Sequence, residues 1–309
     1  MNADGSVTVT GVEATNGYLC KAKDAYGDSY YYRGNVTNNY VKFADKYWRI
    51  VRINGDGTVR VIYDGTSAHA NGESSSDRHI GTSAFNSSYN DNAYVGYMYG
   101  QTGASTYADA HANTNDSAIK AYIDNWYKTN IVGTANEQYL ADNVFCNDRS
   151  ISSNKPSSSY NNLGYGTNVT AYRWYYGPWS SGGYNSNMRL TCPQKNDAFT
   201  VSDTTNGNGA LTYPVGLLST DEIVLAGGWS AANSGYYLYS GQYWWASSPD
   251  YFSGSGADVR RVYSNGNAGD ANIALYVSSS NGVRPVFNLK AEVLAQGSGT
   301  ATDPYRISS

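Results

Sequence analysis

Two runs of β-branched and aromatic residues set the first limit on how this chain can fold. Tyr47-Trp48-Arg49-Ile50-Val51-Arg52-Ile53 and Thr58-Val59-Arg60-Val61-Ile62-Tyr63 stand on either side of Asn54-Gly55-Asp56-Gly57. Asparagine and glycine supply the positive φ a tight turn needs, so the segment predicts an antiparallel hairpin. The same turn invites a calcium reading, but the later carboxylate of a calcium loop is missing, and the turn reading is preferred. Every other patterned segment is short. A helix is expected from Asp116 or Ser117, with Ile119, Tyr122, Ile123, Trp126 and Tyr127 as its buried stripe and an end before Gly133. A second is expected over Glu137–Asn143. A third opens on the capping box Ser219-Thr220-Asp221-Glu222 and stops at Gly227-Gly228.

Short strands follow at Tyr243–Ser247, Ala257–Tyr263, Ile273–Val277 and Val283–Leu289, with Trp244, Trp245, Val283, Val286 and Phe287 as core. Residues 64–115 and 151–210 are rich in Gly, Ser and Asn and read as long loops. Residues 1–35 read as an N-terminal lead-in, with one alternation at Val7-Thr8-Val9-Thr10. The main domain is placed at 36–296, and 297–309 form a tail strand. No repeat and no clean linker divides the chain. The fold class expected is α+β, with small twisted antiparallel sheets, two or three helices and long loop insertions.

Composition narrows the function. Charged residues are 15% and the formal net charge is -4, which leaves no basic stripe for nucleic acid and no polybasic membrane patch. No apolar stretch of about 18 residues occurs, so no membrane span is expected. No signal peptide heads the chain; Met1-Asn2-Ala3-Asp4 reads as an artificial start on a truncated piece, its anchor absent or removed. Tyrosine is in excess, 31 residues against 6 Phe and 7 Trp. Half-buried strand faces account for part of it. Its company of Ser, Gly and Asn is the vocabulary of adaptable binding surfaces. Of Cys20, Cys146 and Cys192, the favoured pair is Cys146 with Cys192; three buried thiols are the alternative.

Catalytic signals are missing. His69, His79 and His111 lack metal-ligand spacing and read as loop or surface residues, so no metal or other cofactor is expected. No nucleophile elbow, phosphate loop or dinucleotide fingerprint occurs. Asp221 and Glu222 read as a helix start. Arg284 stands among apolar residues and needs buried acceptors, which makes it a structural hydrogen-bonder. The positive chemistry lies in 236–287, where aromatics alternate with small polar residues, and the binding face is placed in 245–283. The candidate ligand-binding residues are Tyr251, Phe252, Ser253, Ser255, Tyr263, Asn265, Asn267, Asn272, Tyr276 and Ser278.

Trp245-Ala246-Ser247-Ser248-Pro249, Ala257 with Val259, and Gly282-Val283-Arg284-Pro285-Val286 together resemble the C-terminal signature of bacterial C-type lectin-fold proteins. That group includes the variable proteins of diversity-generating retroelements and the formylglycine-generating-enzyme-like proteins. Asn38-Asn39-Tyr40-Val41-Lys42-Phe43, the hairpin, Asn92–Gly100 and Phe145–Ser150 look like exported, pilin-like surface proteins of gut Firmicutes. Gly297-Ser298-Gly299-Thr300 with Asp303-Pro304-Tyr305 is similar to an ending of Gram-positive surface modules. The resemblance implies a C-type lectin-like fold at an extracellular cell surface, with a hypervariable, retroelement-diversified face taking a surface protein or glycan as ligand. The chain lacks a cysteine after Cys192, against the formylglycine chemistry, and lacks the acidic and amide set of calcium-dependent sugar lectins. A structural pilin or adhesin subunit is the alternative, and a glycan-processing enzyme a third reading.

Overall fold

The computed structural model describes residues 1–150, 172–173, 186–252, 254–268 and 275–308. It is a mixed α+β fold of mainly antiparallel sheets, with three α-helices among the described residues, α1 (Tyr107–Ala110), α2 (Ala118–Asn130) and α3 (Thr220–Leu225), and long loops between them. The expected hairpin is its centre: Lys46–Ile53 pairs with Val59–Gly65, Ile53 opposite Val59. Asn54 O accepts from Gly57 N–H, and Gly57 has a φ of 84°, open to glycine at no steric cost. Around the hairpin runs a seven-stranded sheet. Its order is Val215–Gly216, Val286–Leu289, Val59–Gly65, Lys46–Ile53, Gly27–Gly34 and Gly17–Asp24, with Tyr40–Phe43 also paired to Lys46–Ile53.

The two faces of this sheet are buried by different means. Directly paired residues point the same way, so Trp48, Ile50, Val61, Tyr63 and Phe287 share one face. Trp48 stacks on Phe287 at 4.6 Å, and helix α2 (Ala118–Asn130) covers both with Trp126 and Tyr127. Of the two candidate caps, Asp116 and Ser117, it is Ser117 that caps α2, accepting from Lys120 N–H. The opposite face carries Arg49, Arg52, Arg60 and Asp64, all buried. Helix α3 (Thr220–Leu225) closes part of that face through Glu222, which pairs with Arg60 at 2.6 Å and Arg52 at 3.2 Å. Asp24 binds Arg52 from the far strand. Farther along, Asp64 accepts from Arg78 at 2.7 Å and Arg284 at 2.8 Å, with Arg49 3.8 Å away.

A second, six-stranded sheet runs Leu275–Tyr276, Ala257–Val262, Trp244–Phe252, Ser280–Gly282 and Thr82–Ala84, with Tyr172–Arg173 also paired to Trp244–Phe252. All its pairings are antiparallel except Trp244 with Gly282. Helix α3 bridges the sheets: Thr220 N–H donates to Ser248 Oγ, and Ser247 N–H to Leu218 O. Cys146 and Cys192 form a disulfide. Phe145–Cys146 pairs with Ala198–Phe199 on the same side of the molecule.

Several expectations need correction. Residues 1–35 are more than a lead-in. Gly17–Asp24 and Gly27–Gly34 form a hairpin in the main sheet, and Val7–Thr8 pairs with Asn187–Met188. The second expected helix is a single 3-10 turn, Glu137–Tyr139. Beyond it Leu140 bridges to Leu289, and sheet pairing takes the backbone donors a helix would have used. His69 and His111 sit in loops but are buried, His69 between Glu73 (2.7 Å) and Asp77 (3.0 Å). Part of the expected 151–210 loop and the start of the Ile273–Val277 strand lie outside the described residues.

Candidate ligand-binding surface

The strands Trp244–Phe252 and Ala257–Val262 form a hairpin with register shifts on either side of Pro249. The shifts insert extra residues in the first strand only, so the second keeps its two-residue alternation. Tyr251 pairs with Asp258, and Asp258 with Tyr276, which places the three in one row on one face. Arg261 pairs with Trp245 three positions farther on and belongs to the other face. The second sheet therefore presents two separate aromatic clusters.

The first centres on Tyr276. Its ring stacks on Tyr89 with centroids 5.1 Å apart and planes at 14°, yet the two residues are 46% and 43% exposed. Two exposed phenol rings lying face to face leave an apolar ledge edged by hydroxyls. The ledge is fixed from below. Tyr89 O accepts from Ala257 N–H, and Val277 N–H donates to Ala257 O. Gly256 lies under the Tyr276 ring; a Cβ there would come within 2.4 Å of its Cε1. Ser255 and Ser278 are exposed on the adjoining turns, and Tyr251 is half-buried in the same row.

The second cluster joins Tyr243 and Tyr263, edge to face at 5.3 Å. The Arg261 guanidinium lies 4.7 Å from one ring centroid and 4.9 Å from the other, and donates to Asn281 Oδ1 at 3.3 Å. Tyr243 is 44% exposed.

The expected ligand-binding residues divide accordingly. Tyr251, Ser255, Tyr276 and Ser278 gather at the first cluster, and Tyr263 belongs to the second. Phe252 is a correction: it is fully buried, opposite Ala257, and part of the core. Asn267 is also buried, and Asn265 works within the turn that joins them. Its Oδ1 accepts from Asn267 N–H, while its backbone carbonyl accepts from Asn233 N–H. Ser253 and Asn272 lie outside the described residues. Tyr89, Tyr243, Gly256 and Arg261 are the residues the sequence reading did not select. Tyr89 in particular comes from a loop more than 180 positions before Tyr276, and no local pattern links them.

Trp244, Trp245, Val283, Val286 and Phe287 are all core. Arg284 is the structural hydrogen-bonder its setting implied: it donates to Tyr63 O, Leu238 O and Asp64. Among the described residues no group of three or more His, Cys, Asp or Glu could hold a metal ion. Nor is any described helix long and apolar enough to cross a membrane. Residues 184–291, which carry helix α3, the hairpin and most of the first cluster, match the model of a domain of unknown function, DUF6273. No curated protein and no solved structure matches the chain.

Proposed function

We propose that this is an exported, non-enzymatic binding protein of a cell surface that engages its ligand at the Tyr89–Tyr276 ledge. The observation that carries the reading is that parallel stack of two exposed rings, held over Gly256 by an ordered backbone. A stack left open to solvent gives up burial that the interior would supply, and a ligand laid on it recovers that burial. Ser255, Ser278 and Tyr251 around it supply adaptable hydrogen bonds beside rigid aromatic anchors. The Cys146–Cys192 disulfide supports an oxidising compartment. The resemblance of the C-terminal segments to retroelement variable proteins supports a diversified surface, whose partner would be a surface protein or a glycan.

Two experiments test this. Near-identical genomic copies are expected to differ at exposed positions between Trp245 and Val283 and to keep Trp244, Trp245 and Phe287; differences spread evenly over the chain would remove the diversification reading. Arrays of glycans and surface proteins are expected to yield a ligand whose affinity falls about tenfold or more in Tyr276→Ala, a loss of at least about 1.4 kcal/mol. Binding indifferent to both Tyr276→Ala and Tyr89→Ala removes this ledge as the site.

A further inference from the structure

A recess of about 370 Å³ opens beside the turn Asn92–Val95, near the lower end of the size range of small-molecule sites. Its walls are Tyr94 and Tyr99, edge to face at 5.4 Å with planes at 66°. Tyr99 pairs directly with Asn115 across two short strands, so both side chains stand on one side of the ribbon. The floor is bare backbone at Gly100, where a Cβ would fall 1.9 Å from Asp109 O.

The frame is locked from outside the recess. The buried Asp91 carboxylate accepts from Ala93 N–H at 2.8 Å and from Gly103 N–H at 2.6 Å, tying the Tyr94 turn to the loop opposite. Gly100 N–H donates to Ala110 O and Gln101 N–H to Asp109 O, which holds the rim. Asn115 Nδ2 donates to Gly100 O at 2.8 Å, so its amide is oriented while Oδ1 stays available as an acceptor. Among the described residues, the side chains of Gln101 and Thr102 and the hydroxyls of Tyr94 and Tyr99 have no hydrogen-bond partner.

The lining chemistry narrows the ligand. None of the residues lining the recess carries a formal charge, and the charge that reaches the Tyr99 wall is the Asp116 carboxylate, which disfavours an anion there. The free hydroxyls and amide are wrong for a purely apolar ligand, whose entry would leave them dehydrated and unpaired. The two rings form a corner, whereas a flat aromatic ligand would be better held between parallel plates. A saturated ring bearing equatorial hydroxyls fits such a corner: its C–H face lies on one ring, its edge meets the other, and its hydroxyls reach Gln101, Thr102 and Asn115. We propose that this recess is a second binding site, independent of the Tyr89–Tyr276 ledge, for an uncharged saccharide of one or two rings.

Saturation-transfer NMR and calorimetry on the full chain test it. The probes are N-acetylglucosamine, galactose, glucose and their neutral disaccharides, with glucuronate and sialyllactose as charged comparators. At least one neutral sugar is expected to bind with a Kd of about 1 mM or tighter and to be preferred over its charged analogue. Binding is expected to weaken about fivefold or more in Tyr99→Ala and to vanish in Gln101→Trp, an exposed substitution that fills the recess without touching the core. Tyr18→Ala, an exposed change on the strand Gly17–Asp24 away from both sites, is expected to bind the sugar as the parent does. The proposal is overturned if no neutral sugar binds at about 20 mM, if charged sugars are preferred, or if Gln101→Trp binds unchanged. Loss in Tyr276→Ala with binding retained in Gln101→Trp also overturns it.

Discussion

Asp64 is the residue on which a buried charge imbalance turns. Arg49, Arg78 and Arg284 surround it, and all four are fully buried. Three guanidiniums beside one carboxylate stay inside because backbone carbonyls and aromatic rings share the load. Arg49 donates to Val36 O and lies 3.8 Å from the Tyr40 ring centroid, while Arg284 lies 5.0 Å from that of Trp244. Burial, partly offset by Asp64, still lowers the pKa of Arg284 to about 9. Asp64→Asn removes the shared counter-charge and is expected to cost about 3–5 kcal/mol in urea unfolding, as for a broken buried ion pair; a loss under about 1 kcal/mol would show the carbonyls and rings to be sufficient. His79 adds a pH dependence of definite sign. Burial, then Arg284 and Arg78, depress its pKa from 6.5 to about 3. Its folded pKa lies below its unfolded one, so its contribution is complete above about 6.5 and is lost as pH falls toward 3. Stability is expected to fall by up to about 1.4 kcal/mol per pH unit through that window, and His79→Gln to flatten the slope.

At the scale of elements, helix α3 separates local from long-range stabilisation. Its capping box forms as the sequence predicts: Ser219 Oγ accepts from Glu222 N–H, and Glu222 Oε2 accepts from Ser219 N–H. Glu222 does more than cap, because its other oxygen binds Arg60 and Arg52 on the sheet. Burial opposes its ionisation, yet Arg60 and Arg52 outweigh burial and hold the carboxyl below its usual range. That contribution is present above the unfolded pKa near 4.5 and disappears as pH drops through the folded value. Ser219→Ala is expected to cost about 1 kcal/mol, a cap alone. Glu222→Gln is expected to cost about 3–5 kcal/mol, since it leaves two buried guanidiniums short of a partner. Equal losses in denaturant melts would mean that the helix docks without the ion pairs. The capping box was legible because its partners are three residues apart. The docking role was not, because Arg52 and Arg60 lie more than 160 positions away.

For the whole molecule, the Cys146–Cys192 bridge closes a segment with a sequence separation of 46. Restricting the unfolded chain over such a loop is worth about 4 kcal/mol in the chain-entropy account. Reduction, or the paired change Cys146→Ser with Cys192→Ser, is expected to lower the unfolding midpoint accordingly. Cys20, the free thiol, is expected to leave it unchanged on replacement by Ala; the reverse ranking would contradict the pairing. What the sequence alone determined is what short-range physics controls. That covers the α+β class, the central hairpin around Asn54–Gly57, a helix start at Asp116 or Ser117, the cap at Ser219, the core role of Trp244, Trp245 and Phe287, and the need of Arg284 for buried acceptors. Turn geometry, capping and hydrophobic periodicity all act within a few residues. Only the tertiary structure decided that Phe252 is core, that the N-terminal segment enters the main sheet, and that the aromatic residues separate into two clusters. Burial and register depend on partners distant in sequence. A one-residue change of pairing turns a side chain to the opposite face, so composition could single out Tyr276 as a candidate, but its stack on Tyr89 could exist only once the sheet had formed.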